Sequence, residues 1–439
     1  MIMENVNNSS GMNTESNTHD VLDSDQITND ESWKNKSRHI FIFSSAGKPV
    51  YSRYGCEDEL VTLFGVMQAL VSFVQDNDDA IEAIFFGNKL LVFLIKGPII
   101  LVAVSRNKES VKFLVKQLMY VYNQVVSVLT LTRVTRIFEQ RLNYDLRRLL
   151  AGSERLIDHL LTFTENQPEF LLDGISCLPL SSAVRESISQ AIISTCSKIK
   201  NLVFAILIAN DKLITLIHMK KYVIKPSDLH LIINMVSSFE SFKTAESWTP
   251  ICLPNFDSSG YLHGHVSYLT EECQACLLLL TVDADLFHEL SEAKKKITEK
   301  LQRNQSINVI SNVISNPVLT MNNVNISTVR HFLYKCKKSS HILAPPMPPP
   351  YDTPENSIEL LQHYQILHSA MKDGSSNLRL IFQQFKTEVM LGYVTEKFEL
   401  YVTLDPLISK ASSTDAVDKL IRWIQKEEDK FFIPHVPNF

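Results

Sequence analysis

HIFIFSSAGKPVYSR, from His39 to Arg53, holds two short apolar runs around a turn. His39–Ser44 is dense in aromatic and β-branched side chains. Ala46-Gly47-Lys48-Pro49 is a turn signal, and Val50–Arg53 resumes the strand character, so the stretch reads as a β-hairpin. Just downstream the period changes. Within Asp58–Gln75, Leu60, Phe64, Met67, Val71 and Val74 recur every three or four residues, which is helical spacing. Three further strand-like runs follow, Ile81–Phe86, Leu90–Lys96 and Ile99–Val104, parted by Gly87-Asn88 and Gly97-Pro98. Lys108–Leu129 is then a long amphipathic helix. The order is ββαβββα.

The same order returns. Leu202–Ala209 and Leu213–Met219 make a hairpin around Asn210-Asp211, a favourable two-residue turn. Pro226–Phe239 is a helix with proline at its start, where a missing N–H costs little. Trp248–Leu253, Gly260–Leu269 and Cys273–Val282 are strand candidates, and Ala284–Gln302 is a helix. A third round is less regular. Arg330–Lys335 is a strand, and the prolines from Pro345 to Pro350 read as an extended linker. Ser357–Met371 is a helix, Leu378–Gln384, Glu388–Tyr393 and Phe398–Leu404 are strands, and Thr414–Lys430 is a helix. Leu131–Lys200, between the first two rounds, is a helical linker broken near Gly152 and Pro179. The expected class is α+β: three tandem units, each a five-stranded antiparallel sheet packed with helices. The units span 33–130, 201–303 and 328–439, with the linker at 131–200.

Residues 1–32 differ from everything after them. They hold seven acidic residues, no lysine or arginine and no aromatic residue. Such a segment cannot bury enough apolar area to offset its ordering entropy, and it reads as a disordered acidic tail. The rest of the chain carries 43 basic and 41 acidic residues and is nearly neutral, which gives no general electrostatic reason to bind nucleic acid. The first residues lack a basic stretch followed by an apolar one, so no secretory signal is expected. The most apolar stretch, Leu90–Val104, is 15 residues long and broken by Lys96-Gly97-Pro98, which marks a turn and not a membrane span. Seven scattered cysteines do not form a disulfide framework, and a reducing, cytoplasmic setting is expected.

The first helix of the first unit carries more apolar residues than one sheet can cover. Its expected core stripe is Leu60, Leu63, Phe64, Met67, Leu70, Val71 and Val74, yet Val61, Val66 and Phe73 lie off that stripe. A helix apolar most of the way round is normally covered on both sides. The second cover is either another part of this chain or another protein.

Catalytic motifs are not found. Ser45-Ala46-Gly47-Lys48 lacks the upstream glycine of a P-loop and runs into Pro49 and a strand. There is no nucleophile elbow, no paired-histidine zinc motif and no dinucleotide fingerprint. His263, His265, Cys273 and Cys276 have metal-like residue types. Three residues apart on a strand, however, the two cysteines point to opposite faces, whereas a tetrahedral site needs converging ligands. They read as buried strand cysteines and ordinary histidines, so no metal, no cofactor and no catalytic residue is expected. Basic clusters occur at Arg133, Arg136, Arg141, Arg147 and Arg148, at Lys294, Lys295, Lys296, Lys300 and Arg303, and at Lys335, Lys337 and Lys338. Each alone reads as a solvated face, and together they could face anionic lipid headgroups.

At this point the residues carry a resemblance. HIFIFSSAGKPVYSRYG at His39–Gly55 and GVMQALVSF at Gly65–Phe73 resemble the monensin-sensitivity (SAND-type) vacuolar fusion family. So do NYDLRRLLAGSER at Asn143–Arg155, CLPLSSAVR at Cys177–Arg185, DLHLIINMVSSFESF at Asp228–Phe242 and SWTPICLPNF at Ser247–Phe256. RHFLYKCK at Arg330–Lys337, FELYVTLDPL at Phe398–Leu407 and LIRWIQKEEDKFFI at Leu420–Ile433 extend the match over the whole folded part.

The resemblance implies three longin domains. It also implies a subunit of a heterodimeric guanine-nucleotide exchange factor for the late-endosomal Rab GTPase (the Rab-seven type), paired with a calcium-caffeine-zinc-sensitivity family longin protein. Recruitment by phosphoinositides and an early-endosomal Rab is implied too, with a peripheral location on endosomes, late endosomes and lysosomes or the vacuole. The GTPase platform is expected on the first hairpin and helix, at Ser45, Lys48, Tyr51, Tyr54, Met67 and Leu70, although Tyr51, Met67 and Leu70 are equally core candidates. Partner contact is expected at Val61, Val66 and Phe73, and lipid contact at Lys294, Lys295 and Lys296. The competing readings are a longin-based trafficking scaffold without exchange activity and a metal-dependent hydrolase.

Overall fold

In a computed structural model of the chain, the structure describes residues 33, 35–107, 109–270, 273–316, 319–372 and 379–439. The expected tail at 1–32, the helix start at Lys108 and the strand start at Leu378 lie outside the described residues. Ahead of Ser37, only a short turn closed by Lys36 N–H donating to the Trp33 carbonyl is described.

From Ser37 onward the chain is one compact body. The first unit comprises β1 (Arg38–Ser44), β2 (Pro49–Ser52), α1 (Val61–Gln75), β3 (Ala83–Phe86), β4 (Lys89–Lys96), β5 (Ile99–Ser105) and α2 (Val111–Leu129). The linker holds α3 (Leu131–Gln140), α4 (Arg147–Leu150), α5 (Glu154–Asn166), α6 (Pro168–Leu172), β6 (Ile175–Ser176) and α7 (Ser182–Cys196). The second unit runs β7 (Leu202–Ala209), β8 (Lys212–His218), α8 (Pro226–Ser238), α9 (Ser241–Thr244), β9 (Ser247–Leu253), β10 (Asp257–Tyr268), β11 (Ala275–Thr281) and α10 (Phe287–Arg303). Two helices that the sequence pattern did not suggest follow, α11 (Ser306–Ser315) and α12 (Met321–Val324). The third unit is β12 (Val329–Cys336), β13 (His341–Leu343), α13 (Pro354–Lys372), β14 (Leu380–Gln384), β15 (Val389–Val394), β16 (Phe398–Leu404), α14 (Lys410–Lys426) and α15 (Glu428–Phe431).

The three sheets share one topology. Their orders are β2-β1-β5-β4-β3, β8-β7-β11-β10-β9 and β14-β15-β16-β12-β13. In each, the first and last strands of the unit pair antiparallel at the centre, and the hairpins flank them. The third sheet gains a sixth strand from outside its unit. β6, in the linker, adds parallel beside β13 with Ile175 opposite His341. β13 is itself a departure from the sequence reading, because three residues ahead of a proline run carry too little pattern to register as a strand.

Alternation explains why the central strands read as continuous apolar runs. In β11, Cys276, Leu278 and Leu280 enter one core and Leu277 and Leu279 the other. α8 covers the first face with Leu229, Ile232 and Val236, and α7 and α10 cover the second with Ile188, Ile192, Leu290 and Ile297. A strand buried on both faces cannot afford polar alternation. In the first sheet, Ile40, Ile42 and Leu101 meet Leu114, Leu118 and Val121 of α2. That core continues through the linker to Tyr364 and Leu367 of α13 and Leu333 of β12. The opposite face of the third sheet packs Phe332, Leu400 and Val402 under Val417, Leu420 and Ile424 of α14.

A candidate partner-binding face on the first unit

α1, α8 and α13 occupy the same place in their units, after the second strand. Their surroundings differ. α8 is buried almost throughout, with Leu229, His230, Leu231, Ile232, Asn234, Met235 and Val236 all inside. Its outer side is met by α5, where His159 Nδ1 lies 2.7 Å from Asn234 Oδ1 and Asn234 Nδ2 donates to the Leu156 carbonyl at 2.9 Å. α13 places Leu360, Tyr364, Leu367 and Met371 in the core it shares with α2.

Among the described residues, α1 has one cover, the sheet. Phe64, Met67 and Val71 face the sheet, and Phe64 packs edge-on against Phe41 and Phe43, with ring centroids 5.6 and 5.7 Å away. Val61, Val66 and Phe73 remain 51%, 54% and 71% exposed. Leu63 and Leu70, expected in the core stripe, are also exposed, at 37% and 38%. A helix lying on a sheet buries only a narrow strip, and these two flank it. On β3, an edge strand of the same sheet, Phe85 and Phe86 are also exposed, at 75% and 73%, and the sequence reading did not single them out. Scattered exposed apolar residues are ordinary, but a contiguous apolar helix face marks an interaction site.

The β1–β2 hairpin borders this helix. Gln68 of α1 donates to the Ser45 carbonyl at 3.2 Å and to Ser72 Oγ at 2.9 Å, which ties the turn to the helix. Gly47 has φ +75°, a backbone region that favours glycine at the turn. Of the six residues expected to meet a GTPase, Ser45, Lys48 and Leu70 are exposed and Tyr54 is half-buried. Tyr54 is held between the Arg53 guanidinium, 5.3 Å from its ring centroid, and the edge of His39. Tyr51 and Met67 lie inside. Met67 is in the strip facing the sheet, and the Tyr51 hydroxyl donates to Asp158 of α5. Neither can offer contact area without a rearrangement.

The three lysines of α10 are unequal. Lys294 pairs with Glu246 at 3.3 Å and Lys296 with Glu292 at 3.0 Å, whereas Lys295 is exposed and has no ion-pair partner among the described residues. The metal-like quartet does not converge. His265 is buried against Glu246 at 3.1 Å, His263 stacks on Trp248, and Cys273 and Cys276 enter opposite cores. Burial pushes the Cys276 thiol up to about 12, which leaves it an inert thiol. No helix of the described residues is long and apolar enough to cross a membrane.

Three sheets of this topology, each with a helix after its second and its fifth strand, define a protein of three tandem longin domains. Residues 38–160, 200–299 and 328–428 match, in turn, the first, second and third longin domain of FUZ, MON1 and HPS1. The first match reaches into α5, so part of the linker goes with the first domain. Over 403 residues the chain is 42% identical to the vacuolar fusion protein MON1 homolog A of Gallus gallus, covering 92% of this chain and 73% of the relative. It is 42% identical to Protein SAND of Takifugu rubripes over 92% of this chain and 77% of that protein. It is 37% identical to MON1 homolog B of Homo sapiens, over 93% and 78% respectively. The chain belongs to the MON1/SAND family.

Proposed function

We propose that this chain acts in vesicle-mediated transport and vacuolar fusion as one subunit of a heterodimeric guanine-nucleotide exchange factor for a late-endosomal Rab GTPase of the Rab-seven type. Its partner is a calcium-caffeine-zinc-sensitivity family longin protein, and the pair works in endosome maturation, lysosome or vacuole fusion and autophagy. It is recruited peripherally to endosomal membranes by phosphoinositides and an early-endosomal Rab.

The observation that carries the reading is the single-sided cover of α1. The equivalent helices α8 and α13 are packed within the chain, so the bare apolar face of α1 calls for a second protein. The partner takes Val61, Val66 and Phe73, and the GTPase meets the adjoining hairpin at Ser45, Lys48 and Tyr54. Exchange needs no nucleophile. A surface that binds the nucleotide-free GTPase more tightly than the loaded form weakens nucleotide affinity by the same factor.

The test is release of a fluorescent GDP analogue from the late-endosomal Rab, with this chain alone, the partner alone and both together. Strong acceleration only by the pair supports the reading. A pair that forms and binds the Rab without accelerating release would make the chain a trafficking scaffold instead.

A further inference from the structure

Four side chains between Lys48 and Asp58 reach the linker, each at a different place. Lys48 Nζ, at the hairpin turn, donates to the Asn143 carbonyl at 2.5 Å. The Tyr51 hydroxyl donates to Asp158 Oδ1. Arg53 forms a two-pronged pair with Glu165, with Nη2 donating to Oε2 at 2.8 Å and Nη1 to Oε1. Arg147 Nη1 donates to Asp58 Oδ1 at 2.9 Å. Arg38 of β1 also donates to Glu165, at 3.1 Å, and pairs with Glu109.

These fixings fall at one edge of the sheet. β2 is a four-residue edge strand whose one strand neighbour among the described residues is β1, and their register shifts between Ile42 and Phe43. Arg53 directly follows β2, two residues beyond Tyr51, and both side chains reach α5. Asp158 and Glu165 are seven apart and share one face of α5. Tyr51 thus meets Asp158 and Arg53 meets Glu165 on the same side of the helix. The far side of α5 is held in turn, by His159 against Asn234 and by Gln117 donating to Thr164 at 2.8 Å. Burial works against the Arg53 charge, but the Glu165 hydrogen bond and charge outweigh it and hold its pKa above the ordinary value.

We propose that Asp158 and Glu165 are positioning residues: through Tyr51 and Arg53 they fix the β1–β2 hairpin in the pose in which it receives the GTPase. This rests on the exchange-factor reading and gives the buried Tyr51 a part in it without any contact to the GTPase. A hairpin fixed before encounter spares the cost of ordering it on binding. Loosening it therefore raises the GTPase concentration needed for half-maximal rate more than it lowers the maximal rate.

The experiment uses the intact pair with Asp158→Ala, Tyr51→Phe, both together, and Asp158→Asn, which keeps an acceptor for the Tyr51 hydroxyl. Asp158→Ala and Tyr51→Phe should each lower kcat/KM for GDP release about fivefold, mostly through KM. The double variant should be no worse than either single one, as for two ends of one contact. Asp158→Asn should stay close to the unsubstituted pair. Additive losses, or a loss with Tyr51→Phe alone, would overturn the proposal and return Tyr51 to direct contact. Hydrogen exchange of the amides in residues 40–54 is read on the same proteins. Faster exchange there with Asp158→Ala, and not in α10, supports positioning, and unchanged exchange overturns it. That readout needs no nucleotide chemistry, so an inactive unsubstituted pair would count against the exchange reading while hydrogen exchange still decided the role of α5.

Discussion

The hydroxyl of Tyr120 on α2 lies 3.1 Å from Nδ1 of His230 on α8, and the other ring nitrogen lies 2.9 Å from the Gly174 carbonyl oxygen. A carbonyl can only accept, so Nε2 carries the proton, and Nδ1 accepts from Tyr120. One neutral imidazole thus joins the first domain, the second domain and the linker.

That neutrality has a pH consequence. Burial pushes His230 down to about 4 from the ordinary 6.5, and it does the same to His331 and His341. Each binds a proton more readily unfolded than folded. The stabilisation is complete above about pH 6.5 and is lost as pH falls toward 4, by at most about 1.4 kcal/mol per pH unit per histidine. Thermal unfolding followed from pH 7.5 to pH 4.5 should show a falling midpoint. His230→Gln should flatten part of that fall, and an unchanged slope in the variant would rule out His230 as a contributor.

Two phenylalanines of α1 should separate core from interface. Phe64 is fully buried and Phe73 is 71% exposed. Phe64→Ala should cost about 3–5 kcal/mol in urea unfolding, while Phe73→Ala should stay within about 0.5 kcal/mol. Phe73→Asp should leave the fold intact yet weaken assembly with the partner, measured by size-exclusion chromatography of the mixed subunits. Undiminished assembly would remove Phe73 from the interface.

Two glycines make a second contrast. A Cβ on Gly174 would sit 2.6 Å from the Ser340 carbonyl oxygen, a backbone atom that cannot step aside without disturbing β6 and β13. A Cβ on Gly65, inside α1, would meet nothing within 4 Å. Gly174→Ala should destabilise by about 1–3 kcal/mol. Gly65→Ala should stabilise by about 0.5–1 kcal/mol through helix propensity. A neutral Gly174→Ala would mean that the seam beside β13 is loose.

The lipid reading of α10 narrows to two positions. Lys294 belongs to a cluster with Glu246, His265 and Ser291, so reversing its charge perturbs packing as well as any membrane contact. Lys295→Glu with Lys296→Glu is the cleaner change. The assembled pair carrying it should sediment less with anionic vesicles and keep its exchange rate in solution. Undiminished sedimentation would remove α10 from the membrane surface.

Local pattern carried most of the fold. The Asn210-Asp211 turn is one case, since both residues take positive φ, 48° and 58°, as a two-residue hairpin turn of that type requires. The apolar excess of α1 is another, because periodicity alone showed more faces than one sheet can cover. What stayed hidden is long-range. Nothing near Tyr51 announces Asp158, and nothing near Lys294 announces Glu246. Pairings of that span depend on how domains dock, which side-chain period does not encode. The expected core places of Leu63 and Leu70 failed for a related reason: spacing gives the direction of a side chain but not the width of the surface it meets.

The two-residue strand β6 also bears on how the chain is made. Ile175 pairs with His341, so the third sheet is completed by residues translated long before it. At about 5–20 residues per second, the ribosome leaves that strand waiting on the order of ten seconds or more for its neighbour. During that interval the segment around Ile175 is open to chaperones and to misplaced strands, and the clash that a side chain at position 174 would meet arises only once Ser340 has been made.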